Sequence, residues 1–235
     1  MIPDRVAAVR ERIARAAARA GRRPEDVTLI GVTKTFPSDA VRAGFDAGLR
    51  DFGENKVQEA EAKIAGLSDL REAGARFHLV GHLQDNKAKR AAALFDCIHS
   101  VDGVDRARRL ARLVAEAGRV ISVLVQVDLA GEVTKHGIPE SELFAALEAM
   151  RGLEAIRLEG LMVLPPASDD PEEGRPYFRR LRGLRDQALA SGWLGAAHLS
   201  MGMSHDLEPA VEEGATMVRV GTAIFGERTY PPSAS

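Results

Sequence analysis

One cysteine in 235 residues excludes an intramolecular disulfide, and Cys97 sits in the apolar stretch FDCIHSV, which suits a small buried side chain better than a nucleophile. Charge of one sign is also missing. Lys and Arg number 32 against 34 Asp and Glu, a formal charge of −2, so the chain lacks the basic footprint of a nucleic-acid binder. Arg10, Arg12, Arg15, Arg19, Arg22 and Arg23 then read as the solvated face of a first helix. No apolar run approaches the ~20 residues of a membrane span. The opening MIPDRVAAVRERIARAAARA has no uninterrupted apolar centre and carries Asp4 and Glu11, unlike a signal or transit peptide, so a cytoplasmic protein is expected. There is no G-x-G-x-x-G after the first apolar run, where a dinucleotide site needs it, and no H-E-x-x-H. With no Pro/Gly/Ser-rich linker and no internal repeat, the expected organisation is one domain over residues 1–230 and a disordered tail, PPSAS, at 231–235.

What is present is alternation. Eight β-branched apolar runs fall at residues 27–35, 49–55, 76–84, 96–102, 121–129, 158–166, 196–204 and 217–226. Segments with apolar residues at helical spacing lie between them, several opening on Ser, Asp, Asn or Pro and closing on Gly. Runs such as ISVLVQV suit parallel strands buried on both faces, and eight strand–helix units predict a closed (β/α)8 barrel preceded by an extra amphipathic helix over 3–20 that could close the lower end.

In such a barrel, chemistry gathers where strands end. Period-two alternation puts Lys34 of VTLIGVTKT on the side of Val32, Ile30 and Thr28, so an inward-facing run would send its amine into the barrel mouth. A partly desolvated lysine there can attack a carbonyl; the alternative is a stem lying on apolar surface with its amine in water. Ser200 and Gly202 end the seventh run, and Gly221 and Thr222 the eighth, where this fold commonly cradles phosphate, although such residues also serve tight turns. Arg219 lies inside the eighth run and needs an acceptor, either an anion or a structural ion pair. An aldehyde-accepting lysine, a phosphate cradle and an arginine facing one mouth together describe a site for pyridoxal phosphate (PLP). Lys56, Lys87 and Lys135 sit among polar neighbours and read as surface lysines. His78, His82, His99, His136, His198 and His205 show no metal spacing; His198 shares Ser200's face and is a candidate neighbour of Arg219. Met201, Met203 and Met217 read as packing.

The stretches LIGVTKTFP, DFGENKVQEA, FHLVGHLQDNK, IHSVD, TKHGI, LEGLMVLPP, YFRRLR and LSMGMSHDLEPAVEEGATMVRVGTAIFGER span almost the whole chain. In this combination the sequence resembles the pyridoxal phosphate homeostasis proteins, also described as proline synthetase co-transcribed homologues. The resemblance implies a single barrel like the N-terminal domain of alanine racemase, with PLP held as an aldimine on Lys34. It also implies Arg219 facing the ring nitrogen, Ser200, Gly221 and Thr222 on the phosphate, and Asn55 beside the cofactor. Asp85 in GHLQDNK, and the segment VDLAGEVTKHGI, depart from the family pattern in loops away from those contacts.

Three functions are compatible with such a site. The expected one is a monomeric carrier without robust catalysis that limits free PLP and passes it to apoenzymes. An amino-acid racemase would need a second base opposite Lys34, for which the chain offers Tyr177, in a helical segment, and Tyr230, near the C-terminus. A Schiff-base aldolase would be expected to carry its lysine on the sixth run, and LEGLMVLPP contains none.

Overall fold

The computed structural model describes residues 1–131 and 136–227. Lys135, Tyr230 and the tail at 231–235 lie outside the described residues. Eight parallel strands close into a barrel: β1 Thr28–Val32, β2 Asp51–Glu54, β3 Arg76–Leu79, β4 Cys97–Val101, β5 Ile121–Asp128, β6 Ile156–Met162, β7 His198–Ser200 and β8 Met217–Val220. Neighbours in sequence pair in order, and β8 returns to β1 with Ile30 opposite Arg219 and Gly31 opposite Val220. A two-residue pairing, Ile138–Pro139, extends the sheet beside the end of β5.

Several expected strands are too long at their C-terminal ends. β1 stops at Val32, β3 at Leu79, β6 at Met162, β7 at Ser200 and β8 at Val220. The apolar pattern runs on because Val80, Leu83 and Val163 remain buried after strand pairing has ended, so hydrophobicity does not mark where the ladder stops. The overshoot is the set of loops that form the barrel mouth.

Helices pack outside the strands: α1 Ile2–Arg19, α2 Ser38–Asp46, α3 Val57–Ile64, α4 Ser68–Glu72, α5 Ala88–Leu94, α6 Val104–Glu116, α7 Leu143–Met150, α8 Arg175–Ala190, α9 Leu207–Glu212 and α10 Thr222–Phe225. Val6, Val9, Ile13, Ala16 and Ala17 form one buried stripe on α1, each larger side chain contributing roughly 1.5–3 kcal/mol. That stripe packs against α2, α9 and α10, and Arg12 makes a two-pronged ion pair with Glu208 of α9 at 2.6 and 2.7 Å. The helix therefore completes the outer layer. The short α10 leaves the stretch of outer layer beside β8 to be covered by another helix, and α1 covers it.

Two cores result. The larger lies between strands and helices and includes Phe52 and Phe77, whose ring centroids are 6.0 Å apart. The smaller fills the barrel interior with Ile30, Cys97, Leu124, Met162 and Met217. Burial pushes the Cys97 thiol far up, which makes it inert packing. Asp51, His78, His99, Ser200 and Arg219 are also buried, so polar residues accompany this small apolar core.

Candidate ligand site at the barrel mouth

A cavity of about 600 Å³ opens at the C-terminal end of the strands. Lys34, Asn55, Arg219, Gly221 and Thr222 all line it, so five of the six residues expected from sequence share one space. Ser200 does not line it. Its side chain is fully buried, and its hydroxyl accepts from Arg219 Nη1 at 2.6 Å and contacts His99 Nδ1 at 2.8 Å. Ser204, four residues further on in the loop that follows β7, lines the wall in its place. The signal for it was present in HLSMGMSHD, but alternation applied only as far as the strand could be followed.

Lys34 stands two residues beyond β1, half-buried at the cavity wall. The residue before it is clamped from outside the barrel. Thr33 Oγ1 donates to Glu54 Oε1 at 2.6 Å, and Lys63 Nζ donates both to Glu54 Oε1 and to the Thr33 carbonyl at 2.6 Å. Both charged partners are buried, and burial raises the Glu54 carboxyl above its ordinary range despite the opposing pull of Lys63. Thr35 has a positive φ of 69°, a conformation that costs a non-glycine residue energy, and its amide donates to Glu59. The chain thus turns sharply immediately after Lys34 and is pinned on both sides of it. Glu54 and Lys63 were missed in sequence; a glutamate inside the apolar run DFGE was the available sign.

Arg219 is 4% exposed. Its guanidinium donates to Ser200 Oγ at 2.6 Å and to the Val163 carbonyl at 3.0 Å, both neutral acceptors. Among the described residues no carboxylate pairs with it; Asp206 acts only at longer range. Burial pulls its pKa down to about 10, which still leaves it charged at neutral pH. A buried cation without a counter-ion at a cavity wall favours an electron-rich ligand atom in front of it.

Below Arg219 the polar interior continues. His99 Nε2 meets His78 Nδ1 at 2.9 Å, and His78 Nε2 meets Asp51 Oδ1 at 2.9 Å. His99, not His198, is therefore the imidazole linked to Arg219; His198 contacts Thr216 Oγ1 at 3.3 Å. Burial, with His78 and Arg219 nearby, holds the His99 pKa well below its ordinary value. Burial alone would raise Asp51, but His78 and Arg76 outweigh it and hold the carboxyl below its usual range.

The cradle side of the cavity is built from backbone. Ser204 Oγ accepts from the Ala223 amide at 3.4 Å, tying the loop after β7 to the start of α10, where Gly221 and Thr222 lie. A Cβ at Gly221 would stand 3.3 Å from the Val32 carbonyl, so glycine lets strands one and eight close at this point. On the opposite wall, a Cβ at Gly81 would fall 2.3 Å from the Asn55 carbonyl, which is why the loops bearing Asn55 and His82 can touch.

His82 and His136 line that wall as a stacked pair, centroids 3.5 Å apart and planes 12° apart, beside Asp102 at 3.4 and 3.9 Å. Near-parallel planes keep the in-plane nitrogen lone pairs from converging on one ion, and Arg106 holds the other oxygen of Asp102. One ligand atom from each of the three nonetheless lies within 4.8 Å of the others, so the cluster offers a cation three donors side by side. Lys56, Lys87, Gln84 and Tyr177 do not line the cavity; Met203 does, while Met201 and Met217 are buried.

A parallel barrel with a lysine after its first strand, a buried arginine in its last and a glycine–hydroxyl cradle between them defines a class of ligand-holding barrel. The family model for the alanine racemase N-terminal domain matches residues 5–229. The pyridoxal phosphate homeostasis protein of Pseudomonas aeruginosa is 44% identical over 234 residues, covering 100% of this chain and 99% of its own. That of Aquifex aeolicus is 41% identical over 227 residues, covering 97% and 98%. PipY of Synechococcus elongatus, solved with PLP bound, is 39% identical with a TM-score of 0.84, covering 96% of this chain and 100% of its own. The chain belongs to the alanine racemase N-terminal domain family and, within it, to the pyridoxal phosphate homeostasis proteins.

Proposed function

We propose that this chain binds PLP as an aldimine on Lys34, with loss of one water, and that it serves PLP homeostasis by holding the cofactor and passing it to apoenzymes. The observation that carries the proposal is the placement of Lys34 and the uncompensated cation Arg219 on one cavity. Arg219 would face the ring nitrogen, Asn55 would stand beside the ring, and Ser204, Gly221 and Thr222 would take the phosphate in place of the expected Ser200. The PLP-bound state of PipY and the names of the curated relatives support the choice of ligand.

When bound, PLP supplies an aldehyde and an electron-withdrawing ring. An arginine at the ring nitrogen disfavours protonation there and so weakens the electron sink, which supports a holding role over catalysis. A racemase would need a base facing Lys34; Tyr177 is in α8 away from the cavity. The proposal includes a monomer working in the cytoplasm, and a sizing column returning a stable dimer would correct the first of these.

The test is to incubate the protein with PLP, record the visible spectrum, reduce with borohydride and map the modified lysine by mass spectrometry. A yellow band trapped on Lys34 is expected. A colourless protein, or label on Lys56 and Lys87 with Lys34 unmodified, overturns the proposal.

A further inference from the structure

The five polar groups inside the barrel form a continuous chain whose direction can be worked out. Asp51 also faces Arg76 at 2.9 Å at the N-terminal end of β2, so the chain runs from the barrel floor to the ligand cavity. An ionised carboxylate only accepts, so His78 donates to Asp51 from Nε2. His99, held neutral, carries a single ring proton; placed on Nε2 it donates to His78 Nδ1, and the remaining nitrogen of His99 then accepts from the Ser200 hydroxyl, whose oxygen accepts from Arg219. Each ring nitrogen of the two histidines and the hydroxyl hydrogen of Ser200 then has one partner. In the opposite direction Ser200 Oγ would receive from both His99 and Arg219, and its own hydrogen would have no acceptor among the described residues.

We propose that Asp51, His78, His99 and Ser200 are positioning residues: a one-way hydrogen-bond chain that fixes where the Arg219 guanidinium points at the cavity wall, so that the barrel floor sets how the ligand ring is met. This rests on the reading of the cavity as a PLP site. Two features support it beyond distance. The chain crosses β2, β3, β4, β7 and β8, so it spans the closed barrel and does not merely satisfy one strand's side chains. It is also the only source of a side-chain acceptor for Arg219 among the described residues, the other being the Val163 carbonyl. A guanidinium held by one hydroxyl and one carbonyl is oriented by whatever orients the hydroxyl.

The informative variant is Asp51→Asn, at the far end of the chain and away from the cavity. With Arg76 claiming the amide oxygen, the amide nitrogen donates to His78 Nε2, the chain reverses, and Ser200 receives two donors. PLP affinity is expected to fall about tenfold, the loss of one oriented hydrogen bond, with a shift of the visible band while Lys34 still traps PLP on reduction. A band and an affinity within about twofold of the unaltered protein overturn the proposal. His99→Leu should show the same shift, and Leu124→Ala, a loss in the same interior outside the chain, should lower stability without moving the band.

A second measurement does not depend on PLP. Nitrogen NMR of the histidine-labelled protein, assigned with the single variants, should show both His78 and His99 carrying their proton on Nε2 with Nδ1 bare. A His99 protonated on Nδ1 overturns the chain's direction. If the unaltered protein forms no PLP band, the reading of the cavity fails, and this tautomer pattern alone decides whether the chain exists.

Discussion

Replacing Arg219 by Met removes a buried charge from a cavity wall, and the structure separates what this does to the fold from what it does to ligand binding. Burial lowers the Arg219 pKa to about 10 from 12.5, which corresponds to a penalty on the order of 3 kcal/mol that Met does not carry. Against this, two hydrogen bonds from a charged donor to Ser200 and Val163 are lost, worth about 1.5–3 kcal/mol each. These terms largely offset, so the ligand-free variant should lie within about 3 kcal/mol of the parent. Binding has no such offset. Losing one charged contact to the ring nitrogen should weaken PLP about ten- to a hundredfold. At PLP one hundred times the parental Kd, ligand stabilises the parent by about 2.7 kcal/mol and the variant by about 0.4–1.4 kcal/mol. A chain of 235 residues has an unfolding entropy near 0.5 kcal/mol/K, so the Tm gain should shrink from about 5 °C to about 1–3 °C. Thermal scans with and without PLP measure all four values. An undiminished gain in the variant, or a ligand-free loss above about 4 kcal/mol, would refute the reasoning.

Lys63→Met leaves Glu54 buried without its cation and should cost about 3–5 kcal/mol in urea unfolding, with most of it restored by adding Glu54→Gln; equal losses in single and double variants would show that the pair is not what pins Thr33. Gly160→Ala would place a Cβ 2.0 Å from the His198 carbonyl at the β6–β7 seam and should cost more than about 2 kcal/mol by the same measurement; a loss below about 0.5 kcal/mol would mean that the seam can part freely. Because His99 is held neutral below its ordinary 6.5, the unfolded chain binds the extra proton, and stability should fall as pH drops from 6.5 to 5.5 by up to about 1 kcal/mol. Asp51, depressed below 3.8, loses its contribution only at lower pH, and Glu54, raised above 4.5, acts in the opposite sense nearer that value, so His99→Leu should flatten the slope in this window; an unchanged slope would assign it elsewhere.

Alternation carried the sequence reading as far as single strands reach. Lys34 could be placed because Thr28, Ile30 and Val32 precede it on one face, and Arg219 because it lies inside a four-residue strand flanked by apolar neighbours. Ser200 was placed on the correct strand but assigned to the wrong space: period two gives a face, whereas depth along the barrel axis depends on where pairing with β6 and β8 stops. The Asp51–His78–His99 chain was not legible, since each member looks like an isolated polar residue until eight strands close and bring residues 21 to 101 positions apart within hydrogen-bond reach. The same holds for Lys63, whose amine is buried only because α3 packs back over the end of β1.

The interior chain and the holding role bear on each other through the charge of Arg219. A guanidinium in an apolar interior is drawn towards neutrality, and here burial takes it down to about 10, which still leaves it charged at neutral pH. Surrounding it with neutral acceptors, and keeping His99 below it neutral as well, leaves the cation no partner among the described residues strong enough to draw it away from the cavity. A carboxylate in place of Ser200 would neutralise it and would favour a proton on a ring nitrogen brought in front of it; a hydroxyl does neither. On the proposed function, a positive charge facing the ligand would anchor the lone pair of the ring nitrogen and resist the ring protonation that carbanion chemistry relies on. If the proposed function holds, the residues that make the site bind well are the same ones that would make it a poor catalyst.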